Sequence, residues 1–220
     1  MKKLFVFLTM VVLILISGCS YTGLYILSLR EVHRPQDTKN RYGDHRIINF
    51  TEDNVANYVY EDELIKIIWY SLSNNFKFTL ENKSEHSIKI IWDEAVFINA
   101  EGSSARLIHS SVKMVDKDKT QLPTVIPTKS IFNEHIFPVD NVDYVRDITF
   151  GGYKWVVRHF IPNKAASRRE LDELTKKYIG KTLKVLIPIQ IQDVINEYIF
   201  CFKIEDFILY SRETESLFYI

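Results

Sequence analysis

Apolar and polar residues alternate along several short runs of this chain, the pattern of strands with one buried face. In the run NFKFTLEN, Phe76, Phe78 and Leu80 alternate with charged or hydroxyl side chains. In TLKVLIPIQIQ, aliphatic residues occupy alternate positions across 183–191, and NEYIFCFKI follows a short turn, which predicts a hairpin. Pro188 cannot donate a ladder hydrogen bond, so it predicts that its strand lies at an edge or contains a bulge.

Turn residues separate these runs at intervals of roughly 8 to 14 residues, as in all-β domains. NKSEH follows the first run, AEGS forms a turn around Gly102, and SIKIIWDEAVFIN between them is expected to be one long or bent strand. Together the runs predict a mainly β fold, an immunoglobulin-like β-sandwich of about seven or eight strands. We expect this domain to span 46–212 and to be followed by a tail over 213–220.

One short α-helix is predicted over about 168–179, bounded by a capping box and a C-terminal glycine and carrying one i,i+4 ion pair. The capping box is Ser167 and Glu170, the ion pair is Glu173 and Lys177, and the glycine is Gly180. The apolar face consists of Leu171, Leu174 and Tyr178. This face predicts that the helix covers one end of the sheets.

The N-terminus has the order of features found in a secretory signal peptide. Lys2 and Lys3 precede an apolar run over 4–16, too short for a bilayer span of roughly 20 residues. The run ends in Ile16-Ser17-Gly18-Cys19, which resembles the lipobox of bacterial lipoproteins. That resemblance implies cleavage of 1–18 between Gly18 and Cys19, and lipidation of Cys19.

A lipidated N-terminus and tether are expected over 19–45. Its polar second part contains Pro35 and Gly43, as linkers do. Its first part, YTGLYILSLR, is too apolar for a free linker, so it either lies on the bilayer or packs on the domain. Ser20 follows the lipidated position where some bacteria carry an inner-membrane retention Asp, so the periplasmic face of the outer membrane is favoured.

Charge and cysteine content exclude several classes of protein. Without 1–18 the chain has 26 basic and 28 acidic side chains, since two of the 28 basic residues are Lys2 and Lys3. A net charge of −2 provides no basic surface for nucleic acid. With Cys19 lipidated, Cys201 is the one remaining thiol, so we expect a buried inert cysteine and no cysteine-based metal site.

No catalytic or cofactor motif appears in the chain. The six histidines are scattered without metal-ligand spacing, TFGGYKW lacks the spacing of a phosphate loop, and no nucleophile elbow occurs. Asp93 and Glu94 would point to opposite faces of a strand, so they cannot work as a pair, and Asp93 is expected to bind a turn backbone. These observations predict a protein without catalytic residues, metal or cofactor.

The segment 138–162 is the one candidate for a binding site. It contains Tyr144, Tyr153, Trp155 and Arg158, residue types that dominate binding hot spots. One interpretation is a long binding loop. The other is that YKWVVRHF forms one more strand with its aromatic side chains in the core.

The region around 60–140 resembles a group of uncharacterised bacterial lipoproteins with an immunoglobulin-like sandwich. The resembling parts are Asn82-Lys83-Ser84, Ile91-Trp92-Asp93, Gly102, Ile126-Pro127 and Pro138. The resemblance implies a fold and an envelope location, and no activity.

The sequence thus predicts a lipid-anchored, non-catalytic envelope lipoprotein that acts as a binding or scaffold module. Its expected partners are the membrane, through Cys19, and an envelope protein or glycan. The alternative is an envelope hydrolase acting on glycan or peptide, with a site assembled only in three dimensions.

Replacing Cys19 by Ala is expected to block lipid attachment and leave an uncleaved precursor, because no other nucleophile in the segment can accept the lipid. Metabolic labelling with a tagged fatty acid measures this. Cys201→Ala is the matched control and should keep its label. Undiminished label in the Cys19 variant would contradict the lipoprotein interpretation.

Overall fold

The computed structural model describes residues 20–34, 43–52, 55–70, 75–147, 149 and 151–210. Over these residues the protein is mainly β, with one α-helix, which confirms the predicted class. Strands 1 to 8 are β1 (Tyr21–His33), β2 (Arg46–Glu52), β3 (Val55–Glu61), β4 (Ile65–Trp69), β5 (Phe76–Asn82), β6 (Ile88–Ile90), β7 (Val96–Ile98) and β8 (Ser104–His109). The remaining elements are β9 (Thr124–Ile126), β10 (Ile131–Pro138), β11 (Val142–Arg146), β12 (Tyr153–Val157), β13 (Lys164–Ala165), the helix α1 (Arg168–Tyr178), β14 (Thr182–Ile191) and β15 (Val194–Leu209).

Thirteen of the described strands form one curled antiparallel sheet, so the predicted β-sandwich is not confirmed and the strand count is higher than predicted. Its order is β13-β1-β15-β14-β7-β8-β10-β5-β4-β3-β2, with β6 and β9 branching from β14. The sheet continues around the curl through β8, which pairs with β7 along its first half and with β10 along its second. β11 and β12 pair only with each other.

The curl brings the two halves of the sheet face to face across an aromatic core. Trp69 of β4 lies with its ring centroid 5.0 Å from Phe200 and 5.3 Å from Phe202 of β15. Phe76 of β5 lies 5.5 Å from Phe202. Such ring pairs contribute roughly 0.5–1.5 kcal/mol each beyond their buried area. The alternation predicted for β5 is confirmed, because Phe76, Phe78 and Leu80 are all fully buried.

β1 is an inner strand of the sheet rather than part of a tether. It pairs with β15 from Gly23 opposite Leu209 to His33 opposite Ile199. Leu24, Leu27 and Leu29 are buried, because they need apolar neighbours that only the sheet provides. Among the described residues, the sheet therefore includes Tyr21–His33, which lie before the predicted domain of 46–212. The predicted signal peptide with Gly18 and Cys19, the segment 35–42 and the predicted tail 213–220 lie outside the described residues.

The run expected to be one long strand is instead β6, a 3₁₀ turn over Trp92–Glu94, and β7. Because of this break, β14 pairs with two different strands on the side opposite β15. These are β7 along Lys184–Leu186 and β6 along Ile189–Ile191. Pro188 lies between these two stretches, and its carbonyl accepts a 3.0 Å hydrogen bond from Ile91. β14 is thus an inner strand, and it tolerates proline because the ladder on one side is interrupted there.

The helix forms as predicted, with different surface ion pairs. The Ser167 hydroxyl accepts a hydrogen bond from the Glu170 amide, and Gly180 adopts a φ of +87° after the helix end. Glu173 pairs with Arg169 and not with Lys177. Leu171 and Tyr178 are buried, so the helix covers the sheet near β1. Within the described residues, no helix has the length and apolar character needed to cross a bilayer.

Leu171→Asp is expected to lower the free energy of unfolding by about 2–4 kcal/mol, because it places an unpaired charge against apolar surface. Lys176→Ala, at an exposed position of the same helix, should change it by less than about 0.5 kcal/mol. Thermal or urea unfolding measures both. Equal midpoints for the two variants would mean that α1 does not stabilise the sheet.

Candidate functional site

β11 and β12 form a two-stranded ribbon whose strands pair with no other described strand. Tyr144 lies opposite Trp155, and Arg146 lies opposite Tyr153. Residues opposite each other in an antiparallel pair point to the same face, as do residues two apart on one strand. The three aromatic side chains therefore share one face of the ribbon, which we call the aromatic face (Tyr144, Tyr153 and Trp155).

The aromatic face is open to solvent. Tyr144, Tyr153 and Trp155 are 57%, 62% and 38% exposed. The Tyr144 ring contacts both of the others, with centroid distances of 5.2 Å to Tyr153 and 4.9 Å to Trp155. The strand interpretation of YKWVV is thus confirmed, but its placement in the core is wrong. The ribbon is buried at its base, where Val142 is 1% exposed, and the aromatic residues lie further out.

Arg158 does not join the aromatic face. Its guanidinium lies 2.5 Å from the carboxylate of Asp143 and donates to the Asp140 carbonyl. Asp143 neighbours Tyr144 on β11, so its side chain points to the opposite face of the ribbon. Arg146, across from Tyr153, is the cation on the aromatic side. The sequence does not show which face of the ribbon is exposed, because alternation alone does not identify the face that packs against the rest of the protein.

Hydrogen bonds hold the base of the ribbon to the N-terminal end of β1. The Asn141 amide donates to the carbonyls of Arg158 and His159, which closes the ribbon. Asn163, five residues beyond Arg158, exchanges two hydrogen bonds with Gly23 of β1, at 3.1 and 2.9 Å. β13 then pairs with β1 at Tyr21 and Thr22. The ribbon therefore leaves the body beside the first residues of β1.

A second candidate is a charged cleft of about 320 Å³ lined by residues 44–46, 61–63 and Lys83. At its base the carboxylate of Asp62 accepts hydrogen bonds from the hydroxyls of Tyr60 and Tyr198 and from the amides of Leu64 and Ile65. These four donors occupy both carboxylate oxygens, so Asp62 stabilises the β3–β4 turn and the contact with β15.

The rim of this cleft consists of paired charges. Hydrogen bonds from Lys83 and then Arg46 lower the pKa of Glu61 to about 2, which keeps that carboxylate ionised. Burial, together with the charge of Arg34, lowers the pKa of His45, whose Nδ1 lies 2.9 Å from the Arg34 guanidinium. Because these charged groups pair with one another, they form a structural network. They do not have the arrangement of a general acid and a general base that act on a substrate.

A third cluster joins a hydroxyl, an imidazole and a carboxylate. The Ser110 hydroxyl donates to Glu134 at 2.5 Å, and His109 Nδ1 lies 3.4 Å from the same carboxylate. The His109 ring stacks on Trp92 at 4.7 Å. Activation of a serine requires a hydrogen bond from its hydroxyl to the base. Here the hydroxyl donates to the carboxylate instead, so the cluster lacks the arrangement of a hydrolase.

Two other sequence-based assignments have clear outcomes. Asp93 binds a backbone as predicted, accepting a 2.8 Å hydrogen bond from the Gln121 amide, although it lies in a 3₁₀ turn and not in a strand.

Cys201 is buried, and burial raises the pKa of its thiol. Its sulfur nevertheless lies near Glu31 and His33, a juxtaposition that no sequence pattern predicts because it depends on the pairing of β1 with β15.

Comparisons with known proteins give no assignment: no family model, no curated protein and no solved structure matches this chain. A function can therefore be inferred only from the geometry of the described residues.

Trp155→Ala is expected to lower the free energy of unfolding by about 1 kcal/mol or less, because it removes an exposed ring that stacks on Tyr144 of the same ribbon. Trp69→Ala, in the core, should cost about 3–5 kcal/mol. Chemical denaturation followed by far-UV circular dichroism compares the two. A loss at Trp155 as large as that at Trp69 would show that the aromatic face is packed.

Proposed function

We propose that this protein is a lipid-anchored, non-catalytic envelope lipoprotein that acts as a binding or scaffold module, and that the aromatic face is its contact surface. The observation that carries the proposal is the clustering of three exposed aromatic side chains on a ribbon outside the main sheet. Monomeric soluble proteins rarely expose such rings together without a binding role. The curled sheet serves as an immunoglobulin-like sandwich scaffold in this proposal.

The ligand proposed for the aromatic face is the surface of the bilayer that holds the lipid anchor. Cys19 is separated from Tyr21, the first residue of β1, by Ser20 alone. The segment that follows the ribbon is attached through Asn163 to Gly23, near the same end of β1. A lipid on Cys19 therefore holds this end of the protein close to the membrane. Tyr and Trp are the residues that favour the headgroup region, where an apolar ring body and a polar tip are both satisfied.

The polar groups of the aromatic face favour lipid headgroups as its ligand. Tyr144 and Tyr153 are 57% and 62% exposed, and each side chain ends in a hydroxyl. Lipid headgroups accept hydrogen bonds from hydroxyl and guanidinium donors. Arg146 on the same side provides such a donor.

The envelope location and the absence of catalysis belong to the same proposal. Ser20 after the anchoring cysteine favours the periplasmic face of the outer membrane. The carboxylates of the charged cleft and of the Ser110 cluster are engaged in structural hydrogen bonds, which supports a binding role for the aromatic face. An envelope protein or a glycan is the alternative ligand of the aromatic face.

Tryptophan fluorescence tests the proposal, because Trp69 and Trp92 are fully buried and Trp155 is the exposed member of the three. The lipidated protein is reconstituted into phosphatidylcholine and phosphatidylglycerol vesicles containing lipids brominated near the headgroup. We expect these lipids to quench Trp155 emission and to protect it from aqueous acrylamide.

Trp155→Phe is the matched control, because it keeps an aromatic ring but removes the reporter. Its remaining emission, from Trp69 and Trp92, should be insensitive to the brominated lipid. If Trp155 is unquenched in the lipidated protein and open to acrylamide, the aromatic face points away from the bilayer, and a protein or glycan ligand becomes the better assignment. The fatty-acid label on Cys19 is measured separately, so a missing anchor is not mistaken for a misdirected ribbon.

A further inference from the structure

Three side chains with metal-binding groups meet on the outer face of the sheet, where β1 pairs with β15. Glu31 and His33 lie two residues apart on β1, and Glu31 is directly opposite Cys201. The carboxylate oxygen, the imidazole nitrogen and the sulfur lie within 4.8 Å of one another. We propose that Glu31, His33 and Cys201 form a binding site for a divalent transition metal ion of the zinc type.

A β-bulge in β1 creates this arrangement. Leu29 pairs with Phe202 and Glu31 pairs with Cys201, so Arg30 is an extra residue on β1. The extra residue reverses the alternation of the strand: Leu29 and Val32 are buried, whereas Arg30, Glu31 and His33 are exposed. Without the bulge, Glu31 and His33 would point into the core. Bulges re-aim side chains in this way and are frequent beside functional sites.

The bulge is itself held in place. The Arg30 guanidinium bonds the carboxylate of Glu205 at 2.6 Å, and the Ser28 hydroxyl donates to the same carboxylate at 2.6 Å. Glu205 lies on β15, so both contacts cross between the two strands that supply the ligands. The backbone of the site is therefore held by contacts that the three proposed ligands do not make, and only the Glu31 and His33 side chains need to adjust to a metal ion.

The positions of the three side chains suit a metal ion at the surface. Cys201 is 5% exposed, and its one hydrogen-bond contact among the described residues is the Ile199 carbonyl at 4.0 Å, the outer limit for sulfur. His33 Nε2 already lies 2.9 Å from Glu31 Oε1. Ligand atoms around a tetrahedral zinc ion lie roughly 3.4 Å apart at the usual bond lengths. The exposed imidazole and carboxylate can reach that spacing by small rotations, over a sulfur fixed below them.

The donor set selects the class of metal ion. One thiolate, one imidazole and one carboxylate combine soft, intermediate and hard ligands, which fits Zn²⁺ and Co²⁺ and excludes Ca²⁺ and Mg²⁺. Three protein ligands leave a fourth position for water or another ligand. On binding, the sulfur exchanges its proton for the metal ion and the proton leaves to solvent, so affinity falls as the pH is lowered.

Cobalt absorption tests the site directly. The full chain carrying Cys19→Ala is purified in detergent under reducing conditions without a polyhistidine tag, so that Cys201 is the one thiol present. Titration with Co²⁺ should produce a sulfur-to-cobalt charge-transfer band in the near ultraviolet and visible bands of tetrahedral cobalt. Addition of Zn²⁺ should abolish both and raise the melting temperature, because the ion links β1 to β15, the first and last described strands of the chain.

Variants separate the site from adventitious binding. Cys201→Ser should abolish the charge-transfer band, and His33→Ala, at an exposed position that should not affect folding, should weaken cobalt binding at least about tenfold. His86→Ala, an exposed histidine far from the cluster in the chain, should leave the titration unchanged. Absence of the charge-transfer band in the parent, or its survival in Cys201→Ser, would overturn the proposal. Neither result depends on the lipid anchor or on the aromatic face.

Discussion

The antiparallel pairing of β1 with β15 is the contact on which the other features of this protein depend. It joins the first described strand to the last, and it brings Leu24, Leu27 and Leu29 into the core. β13 and the base of the ribbon attach to the N-terminal end of β1. At the other end, Arg34 lies 3.7 Å from the buried carboxylate of Asp62. A sheet without β1 would expose its apolar edge and leave Asp62 without its nearest cation.

The elements that could be predicted from the sequence are those whose pattern is set by local burial. β5 and β14 alternate because one face of each meets the core, and α1 carries its own start and stop signals in Ser167 and Gly180. Each of these signals lies within a segment of at most fourteen residues. These elements can therefore be predicted without information about the distant strand that each of them contacts.

The parts that could not be predicted depend on long-range pairing. YTGLYILSLR has few polar positions, so its pattern does not distinguish a strand covered on both faces from a segment that lies on lipid. Only the pairing with β15 decides between them. The same holds for Tyr144, Tyr153 and Trp155, whose types suggested either a core strand or a contact surface. Their exposure follows from the departure of the ribbon from the sheet, and no local pattern encodes that departure.

The positions along β1 suggest how an anchored protein would bear load. If Cys19 carries the lipid, a force between the bilayer and the domain enters at Tyr21 and acts along the strand. The hydrogen bonds between β1 and β15 then share that force, instead of opening one after another from an edge. The side-chain contacts of Arg30 and Ser28 with Glu205, and the cluster of Glu31, His33 and Cys201, lie further along the same pair of strands. A metal ion bound there would strengthen the pairing on the side away from the membrane, where the strand has its last contacts with the sheet.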